Sequence, residues 1–164
     1  MREILIIILI LVYFIAGTPL WLAGTEMPYI IRALSYSFFH ANIFHLAVNS
    51  LTIWLLFKRK RKGLLTDLIC AFIIAVIIYP LSLRPVIGFS NVLYAIIGLR
   101  TPPLSSNWWK TPQVLTFLIV TLAMAVIPSI SATTHIAAFI LGILLAYLRR
   151  LIKDLDNDIR RAGK

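Results

Sequence analysis

The chain has 164 residues, 60% of them hydrophobic and 13% charged, with a formal net charge of +10. A soluble domain carries roughly a quarter charged residues, so this chain is too apolar for a water-soluble fold, and its length suits one domain. The positive charge sits in blocks between apolar runs, which argues against nucleic acid as a partner and for a lipid bilayer.

A membrane helix needs about 20 mostly apolar residues. The first predicted span covers residues 4–22, with Trp21 near one interface. It is longer than the apolar core of a signal peptide and reads as a retained helix. A loop with Glu26, Pro28 and Arg32 follows. The second span, 41–57, stops at the basic block Lys58, Arg59, Lys60, Arg61 and Lys62. The third covers 64–83 and holds the single cysteine, Cys70, as a packing residue. After a link over 84–89, the fourth span starts at Ser90 and is over at Arg100. A loop with Pro102, Pro103, Trp108, Trp109 and Lys110 leads to the fifth, 113–127, which Pro128 ends. The sixth runs from His135 to Arg149. Beyond it, Leu151, Ile152, Leu155 and Ile159 share one helical face, as in a basic amphipathic helix lying on a membrane surface. The expected organisation is a membrane domain over 1–148 and a cytoplasmic tail over 149–164.

Charge asymmetry sets the topology. With six spans and both termini in the cytoplasm, cytoplasmic segments hold fourteen of the sixteen Lys and Arg, and outer loops hold only Arg32 and Arg84. This is the positive-inside pattern. The expected fold is an all-α membrane protein, a six-transmembrane-helix bundle with a short fourth helix at its centre.

That fourth helix is too short to cross. From Ser90 to Leu99 it extends about 15 Å, against a hydrocarbon core of about 30 Å. With Arg100 at the cytoplasmic surface, Ser90 lies near mid-membrane. The preceding link dips inward as non-helical backbone, which is tolerated only inside protein or beside a water-filled cavity. By the same measure His135, about 21 Å along the helix from Arg149, also lies within the membrane. Two short helices thus bring a serine and a histidine to similar depth.

Polar residues inside a membrane are costly and are functional candidates by default. The chain has three histidines, His40, His45 and His135. His45 and Asn49 are four apart, on one face of the second span, and Ser90 and Tyr94 are four apart on the fourth. The chemistry these residues suit is acyl transfer. Ser90 is the candidate nucleophile and needs a base in hydrogen-bond reach, for which His135 is the candidate. Backbone N–H groups at the start of a helix are free to donate; with His45 and Asn49 they can hold an oxyanion. Tyr94 can pack on the His135 ring. No carboxylate is placed to complete a triad, so the arrangement is a dyad opening to the outer side. Taken one at a time the residues have plainer uses: Ser90 as a helix cap, a lone histidine as an interhelical bond, Tyr94 as packing. No metal ligand set or cofactor motif is present, and none is implied.

Three segments resemble the rhomboid family of intramembrane serine proteases. HANIFHLAVN, from His40 to Asn49, resembles its H-x4-H-x3-N signature. GFSNVLYAIIG, from Gly88 to Gly98, resembles its G-x-S-G motif with the following tyrosine. HIAAFILG, from His135 to Gly142, resembles its final helix. They stand in the family's order on the second, fourth and sixth spans. The resemblance implies Ser90 as nucleophile and His135 as general base, with His45, Asn49 and the Ser90 N–H as oxyanion hole. It implies Gly88 for the tight loop before the serine and Tyr94 stacked on His135. It places His40 at the outer edge of the site and Arg32 in the first loop, and has Gly98, Ala138 and Gly142 packing two helices closely. It further implies cleavage of single-span transmembrane proteins by a monomer, with substrate entering beside the fifth helix.

The chain departs from that pattern at Asn91, where the family has glycine, and at Ile31, where it has tryptophan. A side chain at 91 is expected to crowd the nucleophile or alter the oxyanion hole, and the short first loop is expected to hold a reduced version of the family's membrane-embedded element. Two other classes match parts of the pattern. One is a catalytically inactive rhomboid-like protein that binds membrane helices as a chaperone or regulator. The other is a small transporter, which should pair acidic and basic residues across the membrane.

Overall fold

The structure, a computed structural model, describes residues 2–17, 28–57, 63–81, 87–101, 107, 110–125 and 132–162. Among the described residues seven α-helices follow in order: α1 Arg2–Ala16, α2 Tyr29–Ser35, α3 Ile43–Leu56, α4 Leu64–Ile78, α5 Ser90–Arg100, α6 Pro112–Ala125 and α7 Ala132–Ala162. Short 3-10 turns, Tyr36–Phe38 and Tyr79–Leu81, extend α2 and α4. No strand occurs among the described residues.

The helix α5 is the centre. Every residue from Ser90 to Gly98 is buried, as expected of a helix that is apolar around its whole circumference. It packs against α3, α4, α6, α7 and the first 3-10 turn. The surrounding helices are apolar on both faces. Ile7, Leu51, Ile73, Ile119, Leu122 and Ile140 are exposed. A continuous belt of such side chains is not tolerated in water, and in a bilayer it is the lipid-facing surface.

The closest helix pair is α5 with α7, and glycine makes it possible. A Cβ at Gly98 would run into the Phe139 carbonyl oxygen and lie 3.1 Å from the Gly142 Cα; a Cβ at Gly142 would run into the Ala95 carbonyl. Ala138 is fully buried in the same seam. Small residues let membrane helices approach to backbone contact, and dispersion over that contact replaces the hydrophobic effect, which is absent between helices in lipid.

At the C-terminal end of α5 the polar groups are gathered by one carboxylate. Asp67 of α4 accepts from Arg100 Nε at 3.4 Å and from Arg149 Nη1 at 3.2 Å. Arg100 also donates to the Leu56 carbonyl at the end of α3 at 2.8 Å. One acid thus joins α4 to α5 and α7, and its partner arginine reaches α3.

Several boundaries differ from those the sequence suggests. The first helix ends at Ala16, where the Gly17 N–H bonds back to the Tyr13 carbonyl; the rest of the predicted span, 18–22, lies outside the described residues. The segment between the first two spans is not all loop, because 29–38 is helical. The α-helical part of the third span gives way at Tyr79 to a 3-10 turn, since Pro80 has no N–H to donate. The last helix starts three residues before His135 and does not stop at Arg149. It runs unbroken for 31 residues, about 46 Å at 1.5 Å per residue. No proline interrupts it, and Arg160 pairs with Asp156 one turn away at 3.0 Å. The expected boundary at 148/149 therefore falls within one continuous helix, not between a bundle and a separate surface helix.

By length and composition, two described helical stretches can cross a membrane, Leu64–Leu81 and Ala132–Ala162. A third is added if Tyr29–Phe38 and Ile43–Leu56, bent by 73°, count as one broken span. The expected six crossings are thus not all matched by helices of full length among the described residues.

Gly142→Leu is expected to lower the midpoint of thermal unfolding in detergent, with a cost of about 1–3 kcal/mol or more from overpacking. The exposed Ile140→Leu change should leave it in place. Equal midpoints for the two variants would show that the α5–α7 seam has slack.

Candidate active site

The site begins with the turn into α5. Gly88 has φ +123°, a backbone region that side chains rarely allow. Its N–H donates to the Tyr36 carbonyl at 3.0 Å. The His45 ring lies directly over it: a Cβ at position 88 would come within 2.6 Å of His45 Nε2. Glycine is required here for both the backbone angle and the space.

Ser90 is the first residue of α5, and Phe89 occupies the cap position. The serine side chain does not cap the helix. Its Oγ lies 2.8 Å from His135 Nε2, and both residues are buried. With Nε2 unprotonated, the hydroxyl donates and the imidazole accepts. That geometry is compatible with a nucleophile beside its base.

Tyr94, one turn along α5, lies flat on the His135 ring, with centroids 4.5 Å apart and planes 10° from parallel. A second layer holds Tyr94. Thr121 of α6 donates to its hydroxyl at 3.1 Å. Phe117 meets it edge-on at 5.5 Å and stacks on Phe139 of α7 at 4.0 Å. The imidazole plane is therefore fixed by aromatic packing that α6 supports. Among the described residues no carboxylate takes that part: Asp67 is engaged by arginines at the other end of α5.

His45 and Asn49 project from one face of α3 and are buried. The local fold sets their register, because the Asn42 side chain caps the helix by accepting from the His45 N–H at 2.8 Å. His45 Nε2 and Asn49 Nδ2 are buried with no hydrogen-bond partner among the described residues, which leaves two polar nitrogens for another molecule. His40 is fully buried and meets the His45 ring edge-on at 5.2 Å. Arg32 lies half-buried on α2.

A family model described as the Rhomboid domain matches residues 28–151. The chain belongs to the rhomboid family. Comparison with curated proteins gives no match. Family membership and the lipid-facing surface together make this rhomboid protein an integral membrane protein. Within its matched region lie every residue of the site and both glycines of the α5–α7 seam.

The rhomboid site corrects one expectation. Asn91 does not crowd Ser90. Its Nδ2 donates to the Tyr36 hydroxyl at 3.1 Å, and the side chain is fully buried in that contact. The structure also adds residues that the sequence does not single out: Tyr36, Phe117 and Thr121. Thr121 left one cue, a hydroxyl in an apolar span; Tyr36 and Phe117 left none, since aromatic residues in and beside spans are ordinarily packing or interface anchors.

Gly88→Ala is expected to cost about 1–3 kcal/mol in backbone strain and to displace the His45 ring. In a histidine-labelled NMR spectrum the His45 ring signals should move while those of His135 hold. An unchanged melting point with an unchanged His45 signal would show that the turn does not rest on this glycine.

Proposed function

We propose that the protein is an intramembrane serine endopeptidase that cleaves single-span transmembrane proteins through a Ser90–His135 dyad. The observation that carries this reading is the buried 2.8 Å contact between Ser90 Oγ and His135 Nε2. In water a serine hydroxyl is a weak nucleophile. Removal of its proton by a histidine, in step with attack, makes acylation accessible.

The steps follow from the geometry. Ser90 Oγ attacks the scissile carbonyl as His135 Nε2 takes the hydroxyl proton. The carbonyl oxygen becomes an oxyanion, received by N–H groups at the start of α5 and by the side-chain donors of His45 and Asn49. Fixed donors in a site shielded from bulk water stabilise that charge far more than water would. His135 then gives its proton to the departing amine, leaving an acyl-enzyme on Ser90. A water molecule, deprotonated by His135, releases the acyl product and restores the serine. No step calls for a metal or cofactor.

In the full proposal the chain makes six crossings, with both termini cytoplasmic and the site open to the outer side. The lysine and arginine distribution supports that orientation. A monomer suffices, because both reacting side chains come from one chain. The substrate helix must unwind to offer its carbonyl, so spans with weak helical propensity near the outer interface are favoured. Entry beside α6 agrees with the exposed apolar face of that helix, which carries Leu118, Ile119 and Leu122. Disulfide crosslinks from α6 to α3 should slow cleavage of a transmembrane substrate; full activity in the crosslinked protein would remove α6 as the gate.

A fluorophosphonate probe in detergent tests the chemistry. Wild type should label, and Ser90→Ala and His135→Ala should each lose at least about 100-fold in labelling rate, the low end of what a positioned base contributes. Folded wild-type protein that takes no label would overturn the hydrolase reading. It would favour a helix-binding protein without activity.

A further inference from the structure

The segment that carries Ser90 is held on both sides by one residue. Tyr36, in the 3-10 turn after α2, is almost completely buried. Its carbonyl accepts from the Gly88 N–H at 3.0 Å, two residues before the serine. Its hydroxyl accepts from Asn91 Nδ2 at 3.1 Å, one residue after it. The same hydroxyl donates to the Ala75 carbonyl of α4 at 2.9 Å. The Tyr36 ring is packed on Tyr79 at 4.9 Å, beyond the end of α4. Three parts of the chain thus meet at this phenol: the 36–38 turn, the body of α4 and the start of α5.

We propose that Asn91 and Tyr36 form a positioning pair that fixes the start of α5, and with it the reach of Ser90 Oγ toward His135. The inference rests on the hydrolase reading above. Neither residue touches the reacting atoms. Their effect is geometric. The Gly88–Tyr36 bond fixes where the turn enters, and the Asn91–Tyr36 bond fixes the rotation of the first helical turn about its axis. Ser90 lies between those two fixed points, so its side chain and N–H are aimed together. His135 stands on α7, and its ring is held by Tyr94 one turn further along α5, where Thr121 and Phe117 of α6 brace it. If Asn91 lets go, the base stays in place and the nucleophile drifts.

Burial makes the pair consequential. In a low-dielectric interior a hydrogen bond is strong, and an orphaned partner is costly. Tyr36→Phe leaves Asn91 Nδ2 and the Ala75 carbonyl without their shared hydroxyl, and Asn91→Ala removes the other half of the same contact. The two changes therefore act on one interaction and should not add.

The test compares wild type, Asn91→Ala, Tyr36→Phe and the double variant, each checked for folding by thermal unfolding in detergent. Two rates are read: fluorophosphonate labelling, and cleavage of a transmembrane peptide in proteoliposomes. Each single variant should lose about tenfold in labelling rate and in kcat, the scale of a sub-ångström misplacement of reacting groups. KM should stay within about twofold, because neither side chain is placed against the substrate. The double variant should fall no further than the slower single. If Asn91→Ala does not fold, Tyr36→Phe, one oxygen smaller, decides alone. Folded variants that react at the wild-type rate, or Asn91→Ala reacting faster, would overturn the pairing while leaving the hydrolase reading intact. Unlabelled wild type would sink that reading itself.

Discussion

An eleven-residue helix extends about 16 Å and cannot bridge a hydrocarbon layer of about 30 Å. Most of the structure answers the difficulty that α5 creates. Its first turn presents N–H groups with no intrahelical partner in a place where no lipid atom can satisfy them. The surrounding chain must therefore both exclude lipid and supply polar company. Exclusion comes from α7, brought to backbone contact by Gly98 and Gly142. Polar company comes from the Tyr36 turn, whose carbonyl accepts from the Gly88 N–H, and from the polar side chains of α3 close by. At the other end Asp67 in the first turn of α4 and Arg100 at the end of α5 close the bundle with Arg149, which reaches them from within α7. The polar side chains of the candidate site gather where a short helix leaves its own start without intrahelical partners.

How much of this was legible in the sequence depends on distance along the chain. Pairs four residues apart, His45 with Asn49 and Ser90 with Tyr94, could be read from helical periodicity. The meeting of Ser90 with His135, 45 residues apart, could be read because both stand at similar depth on short helices. That argument uses only rise per residue and the basic residues that mark the far surface. The Asn91–Tyr36 contact, 55 residues apart, offered no such handle. Tyr36 stands outside every predicted span, so depth did not constrain it. A missing glycine at 91 showed that something differed without showing where the side chain went. The helical character of 29–38 was hidden by its brevity. The continuity of α7 was hidden by Arg149 and Arg150, which read as a boundary although charged residues with long side chains continue a helix readily. The Asp67 bridge is hidden for another reason: in the sequence Arg100 and Arg149 each read as a membrane-surface marker, which implies no shared partner.

Ser90 and His135 are held by different kinds of force, and the membrane explains the division. In water-soluble hydrolases a buried carboxylate can orient the histidine. In a bilayer an ionised carboxylate beside the base would have to be desolvated, at a cost of several kcal/mol that its attraction recovers only with excellent geometry. A stacked phenol fixes the ring plane and adds no charge. Tyr94 does this for His135, and its own orientation is set by Thr121 and Phe117 of α6. The serine side is held by neutral hydrogen bonds through Tyr36. The acid of α4, Asp67, stands where two guanidinium groups can meet it and where helix ends approach the polar surface.

This division has a mechanical consequence. The serine is referred to α4 through Tyr36, whereas the histidine ring is referred to α6 through Tyr94. Helix α4 is packed against both α5 and α7, while α6 presents Leu118, Ile119 and Leu122 outward. On the proposed mechanism the nucleophile is fixed by the more enclosed part of the bundle and the base by the more lipid-exposed part. Displacement of α6 by an entering helix would then reach the base first, through one hydroxyl–hydroxyl contact and one aromatic edge. The attacking oxygen would keep its position, and the dyad would re-form as α6 settled around the substrate. Because only uncharged contacts are broken and remade in that movement, no ion has to be stripped of its partner within the lipid, which keeps the cost of admitting a substrate low.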